Sequence, residues 1–145
     1  MSDDSLERIG WWEWVLLPGI SSSPVKAKCD TGAVVSALHA EDLTIVQRGS
    51  LKMARFRLSP TSNFAELTVV GYREIRSSNG ETQIRPVVLT PVQIANRVIA
   101  IECTLTDRTP MAYPMLLGRA ALGGRHLVDP SRAPIHRKPR SLRVS

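Results

Sequence analysis

Residues 25–30, Val25-Lys26-Ala27-Lys28-Cys29-Asp30, alternate apolar and polar positions, the period of a half-buried β-strand whose side chains point to opposite faces in turn. Lys52-Met53-Ala54-Arg55-Phe56-Arg57-Leu58 repeats the pattern and stops before Pro60. Residues 11–17 are rich in aromatic and branched side chains and end at Pro18-Gly19, so they read as a first strand that pairs with residues 25–30 as a hairpin. An apolar run resumes at Val34-Val35-Ser36-Ala37-Leu38 and leaves through a polar corner at Ala40-Glu41-Asp42-Leu43. Residues 67–70 and 72–76 continue the strand pattern up to Ser77-Ser78-Asn79-Gly80, the strongest hairpin signal here, because Asn-Gly tolerates the positive φ angles of a tight turn. Residues 82–90 form the returning strand. A second hairpin is expected from residues 92–95 and 98–105 about Asn96-Arg97. Tyr113-Pro114-Met115-Leu116-Leu117-Gly118-Arg119 reads as a buried strand ending in glycine, Ala120-Ala121-Leu122 as a short helix, and residues 126–130 as a last strand. Short, regularly spaced strands with almost no helical period predict an all-β, barrel-like domain with one short helix near its C-terminal end.

Composition narrows the class. A chain of 145 residues with 43% hydrophobic content suits one folded domain with its own core. No apolar run approaches the roughly 20 residues of a membrane span, and Met1-Ser2-Asp3-Asp4-Ser5 is the acidic opposite of a secretory leader. The expectation is a soluble, cytoplasmic, bacterial-style protein. Cys29 and Cys103 stand far apart, and His39, His126 and His136 are scattered, so neither a disulfide framework nor a zinc ligand set is read. There is no glycine-rich stretch ending in Gly-Lys-Ser/Thr, the mark of a phosphate-binding loop. No metal and no cofactor are expected. The net charge of +6 is concentrated late, in His136-Arg137-Lys138-Pro139-Arg140 and Arg143. Three segments are expected: flexible residues 1–10, a folded domain over 11–130, and a basic, proline-containing disordered tail over 131–145, solvated or held against an acidic or ribosomal partner.

The residues with the most chemistry are Asp30-Thr31-Gly32-Ala33, at the end of the alternating strand. An Asp-Thr-Gly bend is by itself an ordinary reversal whose carboxylate caps its own backbone. Its meaning depends on partners elsewhere. Cys29 reads as a small buried apolar residue and His39 as a satisfied strand-end histidine.

The order of these pieces resembles the single-lobe retropepsins, half-size aspartic proteases that act as homodimers: an apolar strand, Asp30-Thr31-Gly32-Ala33, a long hairpin with its tip at Asn79-Gly80, then Met115-Leu116-Leu117-Gly118-Arg119 before a short helix. More closely, the chain is similar to a bacterial family called ATP-dependent zinc proteases, associated with the ribosomal-modification ATP-grasp ligase. That similarity rests on Lys26 to Ala33, Ser36-Ala37-Leu38-His39-Ala40, Arg76 to Gly80, Arg85-Pro86-Val87-Val88, Met115 to Arg119, and Leu127-Val128-Asp129-Pro130. The resemblance implies a retropepsin-like barrel and an aspartic endopeptidase. Catalysis would fall to Asp30, Thr31 and Gly32, with a second Asp30 from another copy of the chain. Ala33, Ser78, Asn79 and Gly80 would contact a peptide or protein substrate, the last three as a flap, and Leu117, Gly118 and Arg119 would support the turn from behind. The alternative reading is a retropepsin-fold binding module without turnover, docking a peptide, a ribosomal or a ligase partner.

The chain departs from the retropepsin pattern in particular places. Lys26 and Lys28 fall on the same side of their strand as Asp30, where retropepsins carry apolar residues. Val34 replaces the acid that would pair with Arg119, leaving Asp129 or Glu41 as substitutes. Arg73, Arg76 and Arg85 line the flap-like hairpin, as a solvated face or as recognition of acidic, glutamate-tailed peptides.

Overall fold

In the computed structural model, which describes residues 6–76, 79–108 and 112–141, six strands pair in a closed ring. They are β2 (Trp12–Leu16), β3 (Val25–Cys29), β4 (Ser36–His39), β8 (Thr82–Ile94), β9 (Arg97–Thr106) and β10 (Met115–Leu117). The order β2-β3-β10-β4-β9-β8 closes where β2 pairs back onto β8 through Val15 with Ile94 and Leu16 with Gln93. Closure leaves no exposed edge at this seam. The alternating positions of these strands turn inward to a core that includes Val15, Ala27, Leu38, Val88, Val92, Leu105, Met115 and Leu117. The hairpin expected from the first two strands is present, with Trp14 opposite Lys26.

A flange grows from the ring. β8 continues toward its N-terminal end beside β7 (Ala65–Arg76), which carries β6 (Leu51–Arg57) and then β5 (Glu41–Arg48). Phe56 and Ala54 anchor this flange to the common core. β5, read from sequence as a polar corner, is a strand with a register shift between Glu41 and Thr44. Most of its residues are exposed or half-exposed, so no burial pattern marks it.

Two apparent breaks vanish in three dimensions. The two strands read over 82–90 and 92–95 are one strand, Thr82–Ile94, despite Pro86 and Pro91. The ladder to β7 covers residues 82–88 and the ladder to β9 residues 87–94. Each proline therefore stands where β8 is paired to only one of these neighbours, and its missing N–H costs no rung on that side. The turn that follows is Ala95-Asn96, with Ala95 at φ 53, rather than Asn96-Arg97. Likewise residues 67–70 and 72–76 merge into β7 through a bulge at Val69/Gly71.

Both chain ends differ from expectation. Within the segment expected to be flexible, β1 (Glu7–Gly10) pairs in parallel with β11 (His126–Asp129). The partners are too distant in sequence for local pattern to reveal. The proline-containing segment after Pro130 packs back onto the start of the chain: the Trp11 amide donates to the Arg132 carbonyl at 3.0 Å, and the Ile135 and His136 amides donate to the buried Glu13 carboxylate. The helix α1 (Arg119–Leu122) follows β10 as read from the sequence.

Candidate active site

Asp30 follows the last residue of β3, where parallel pairing sets Cys29 beside Leu117 of β10. Its amide continues that ladder, donating to the Leu117 carbonyl at 2.8 Å, and the Ala33 amide closes the turn onto the Asp30 carbonyl at 3.2 Å. The Gly32 amide donates to Asp30 Oδ1 at 3.0 Å. One carboxylate oxygen is thus oriented by the turn itself. Asp30 is half-buried, while Thr31 and Gly32 are exposed.

The glycine-ended strand supports this turn. The Arg119 and Ala120 amides donate to the carbonyls of Ala33 and Val34 at 2.8 and 2.9 Å. The Arg119 guanidinium donates to the Thr31 carbonyl at 2.8 Å. A Cβ on Gly118 would lie 2.6 Å from the Val34 oxygen and 2.7 Å from the Val35 carbonyl carbon. Only glycine lets the two segments pass so closely. The Gly118 amide in turn donates to Ser36 Oγ at 3.1 Å. Ser36 is buried, and its hydroxyl was not singled out by sequence. The signal was a polar residue inside the apolar run 34–38.

The carboxylates considered as substitute partners for Arg119 are engaged elsewhere. Asp129 accepts from the Ser131 amide and hydroxyl and lies 3.9 Å from Arg8. Glu41 Oε2 lies 3.1 Å from His39 Nε2. The guanidinium instead uses a backbone carbonyl, which serves the turn in place of an acid at position 34.

His39 has a specific role in placing a neighbour. Its Nδ1 accepts the Arg108 amide at 2.7 Å, which assigns the other ring nitrogen as the donor to Glu41. Arg108 is then half-buried, with its Nε enclosed and without a hydrogen-bond partner among the described residues. Burial lowers its pKa, the nearby Arg85 lowers it further, and Asp30 acts in the opposite direction. Burial likewise lowers the pKa of Arg85, whose Nε donates to Gln83 Oε1 at 2.8 Å. Gln83 Oε1 also accepts from Thr106 Oγ1 at 3.3 Å, joining the tip-proximal part of the β7–β8 hairpin to the end of β9. A cleft of about 370 Å³ opens beside these residues, lined by Gln83, Arg85, Thr106 and Asp107. Two partly desolvated guanidiniums thus stand within electrostatic reach of one another, and one of them within reach of Asp30. Sequence singled out Arg85 but not Arg108, which follows its strand in a polar stretch with no pattern.

Asn79 and Gly80 form the exposed turn of the β7–β8 hairpin, with Gly80 at φ 88 and Asn79 Oδ1 accepting the Glu81 amide at 3.1 Å. Ser78 lies outside the described residues. Arg73 and Arg76 are exposed on β7. Burial, and secondarily the Glu13 charge, push the Cys29 thiol up to about 12. Among the described residues, no group of three His, Cys, Asp or Glu is placed to hold a metal ion. The described residues therefore offer no ligand set for zinc.

The model of the family described as "RimB-like: Retropepsin-like aspartic endopeptidase RimB" matches residues 8–139. The chain is 38% identical over 137 residues to a protein of Shewanella pealeana named "Probable alpha-L-glutamate ligase", covering 90% of this chain and 30% of that protein. It is also 38% identical over 128 residues to one of the same name from Parasynechococcus marenigrum, covering 84% of this chain and 28% of that protein. It therefore spans under a third of the curated relatives it matches. The crystal structure of Lpg0085 from Legionella pneumophila, a protein titled as of unknown function, superposes with a TM-score of 0.73 at 29% identity, covering 89% of this chain and 97% of that one. With its closed all-β barrel, its Asp-Thr-Gly turn and a family match over nearly its whole length, the chain belongs to the RimB-like family of retropepsin-like aspartic endopeptidases.

Proposed function

We propose that the protein is an aspartic endopeptidase that uses Asp30 from each of two copies of the chain and acts on acidic, glutamate-rich peptides. The observation that carries the reading is the Asp30 turn, held by Leu117, Gly32 and Arg119 so that a half-buried carboxylate is presented beside exposed Thr31 and Gly32. One carboxylate is half of what the chemistry needs. Two carboxyl groups brought close share a single proton, because both cannot be ionised at short range. The ionised member takes a proton from a water held between them, and the oxygen attacks the peptide carbonyl carbon. The protonated member gives its proton to the carbonyl oxygen. The resulting tetrahedral diol expels the amine, which leaves with a proton returned by the dyad. A two-fold axis through the turn supplies the second Asp30, since an isologous contact brings the same patch to itself.

The preference for acid rests on Arg85 and Arg108. Guanidiniums that are partly dehydrated and flank one another are costly unless an anion joins them, and they pair with carboxylates through parallel hydrogen bonds. The curated relatives named for an alpha-L-glutamate ligase agree with a glutamate-bearing substrate.

Purified full-length protein should cleave oligoglutamate-tailed peptides and not neutral peptides of equal length. Asp30→Asn should remove cleavage while the far-ultraviolet spectrum and the mass by light scattering stay unchanged. Arg108→Ala should raise KM for the acidic peptide more than it lowers kcat. Undiminished cleavage by Asp30→Asn, or a strictly monomeric active species, would overturn the mechanism.

A further inference from the structure

The outer face of the β2–β3 hairpin is a second place built for anions. Alternation turns Val15, Val25 and Ala27 inward, and leaves Trp12, Trp14, Lys26 and Lys28 on the opposite face. Pairing sets Trp12 opposite Lys28 and Trp14 opposite Lys26. The two indoles meet edge to face at 5.7 Å, and the Lys26 ammonium lies 5.2 and 5.5 Å from their centroids. A third ammonium, that of Lys138, lies 4.2 Å over Trp14.

That third lysine is delivered by a fixed segment. The buried Glu13 carboxylate accepts the amides of Gly10 at 2.7 Å, Ile135 at 2.8 Å and His136 at 3.2 Å. Gly10 admits the passing chain, since a Cβ there would lie 2.5 Å from the Arg132 carbonyl oxygen. Lys26, Lys28 and Lys138 are exposed, and among the described residues none of them forms an ion pair. Three like charges gathered without a counter-charge concentrate anions locally.

We propose that this tryptophan–lysine face is a docking track for an extended acidic peptide running away from Asp30. The proposal rests on the acidic-substrate reading of the active site and deepens it. Lys26 and Lys28 share the outer face of β3, which ends one residue before Asp30, so a strand rise of about 3.3 Å per residue puts Lys28 and Lys26 roughly 7 and 13 Å from it along the chain. Alternate side chains of an extended peptide repeat at about the same interval. Acidic residues beyond the scissile bond therefore fall in step with the lysines, and their methylenes meet the indole edges. A single-stranded nucleic acid would need open aromatic faces for base stacking, and ammonium groups already lie over Trp14.

The test uses full-length Asp30→Asn protein, which binds without turnover, titrated with an octameric α-linked oligoglutamate while tryptophan fluorescence is followed. Expected is a saturable change whose Kd rises at least fivefold in Lys26→Glu and in Lys138→Glu. The milder Lys26→Gln and Lys138→Gln, which spare the packing of the stems, should weaken binding in the same direction. In the cleaving protein, the ratio of kcat/KM for a long acidic peptide to that for one ending just past the cleavage site should fall in the same variants. Equal Kd in folded variants, or tighter binding of an octameric RNA than of the oligoglutamate, would overturn the track. The two proposals fail separately: lysine-dependent oligoglutamate binding without any cleavage by the native protein sinks the protease reading alone, and cleavage with an unchanged length ratio sinks the track alone.

Discussion

The Arg119 guanidinium donates to the Thr31 carbonyl at 2.8 Å, so the arginine that opens α1 just past the supporting strand holds the Asp30 turn by its backbone rather than by an acid. The site therefore tolerates Val34 where retropepsins place a carboxylate. Arg119 is exposed, and losing one such hydrogen bond costs about 1 kcal/mol of stability. Its effect on catalysis should be larger, because a turn free to shift by an ångström loses its attack geometry. Arg119→Ala is expected to melt within a few degrees of the native protein while kcat/KM on an acidic peptide drops at least tenfold. Arg119→Lys, which keeps the charge but not the planar donor array, should recover only part of it. Thermal unfolding and steady-state kinetics on the same preparations separate the two effects.

Gly118 makes the opposite kind of contribution. Its missing side chain is the space through which β10 passes the 34–35 backbone, with a would-be Cβ 2.6 Å from the Val34 oxygen. The obstacle is main chain on both sides, so no rotamer change can relieve it. Gly118→Ala should destabilise by about 3 kcal/mol, at the upper end of overpacking costs. Denaturant unfolding would show this as a fall in midpoint, with catalysis lost in proportion to unfolded protein. A variant as stable as the native chain would mean that the two segments separate easily.

Most of this architecture was legible because buried, alternating strands write their period into the sequence. Val25 to Cys29 carries inward Val25 and Ala27 against outward Lys26 and Lys28, and the strand was placed to within a residue. What local pattern could not show was pairing between distant segments. β1 and β11 join residues from the two ends of the chain, and the carboxylate that ties down the last segment is Glu13, a charged residue inside a strand of tryptophans. An acid there reads as a solvent-facing position, yet it is almost wholly buried, because its partners are backbone amides that leave no trace in composition. Arg108 escaped for a related reason: what makes it notable is burial beside Arg85, a property of the fold rather than of its neighbours in sequence.

His126 gives the fold a pH dependence. It begins β11 opposite Glu7, and neither ring nitrogen has a hydrogen-bond partner among the described residues. Burial lowers its pKa below the usual 6.5, Glu7 opposes the shift, and Arg97, Arg125 and His136 add to it. A histidine depressed in the folded state binds its proton more readily when unfolded. Its contribution to stability is therefore complete above about pH 6.5 and is lost as pH falls through the lowered folded-state value. His126→Leu also removes two unpaired polar atoms from the interior, which favours the variant. Melting curves between pH 7.5 and 5 should fall less steeply for His126→Leu than for the native protein, and the variant should be the more stable of the two at pH 5. Parallel curves would show that this ring does not titrate with unfolding.

Glu13 ties the segment after Pro130 to the strand pair that leads into Asp30. Its carboxylate accepts three amides, from Gly10, Ile135 and His136. The Gly10 carbonyl accepts the Cys29 thiol at 3.4 Å, one residue before Asp30. Glu13→Ala leaves these amides without their acceptor, so a loss of roughly 3 kcal/mol is expected. Glu13→Gln retains a carbonyl acceptor and the side-chain volume, so it should cost less while still loosening the segment after Pro130. Two local readouts distinguish release of this segment from general unfolding. Trypsin should cut after Arg132 or Arg137 faster in Glu13→Gln at temperatures well below its melting point. The Cys29 thiol, held near 12 by burial first and by the Glu13 charge second, should be alkylated sooner than Cys103, whose own burial also raises it to about 12. If both cysteines gain reactivity together, and only as the barrel melts, Glu13 contributes to global stability without acting as a latch. Selective exposure of Cys29 with the barrel intact is the outcome expected of a clasp that reaches the neighbour of Asp30.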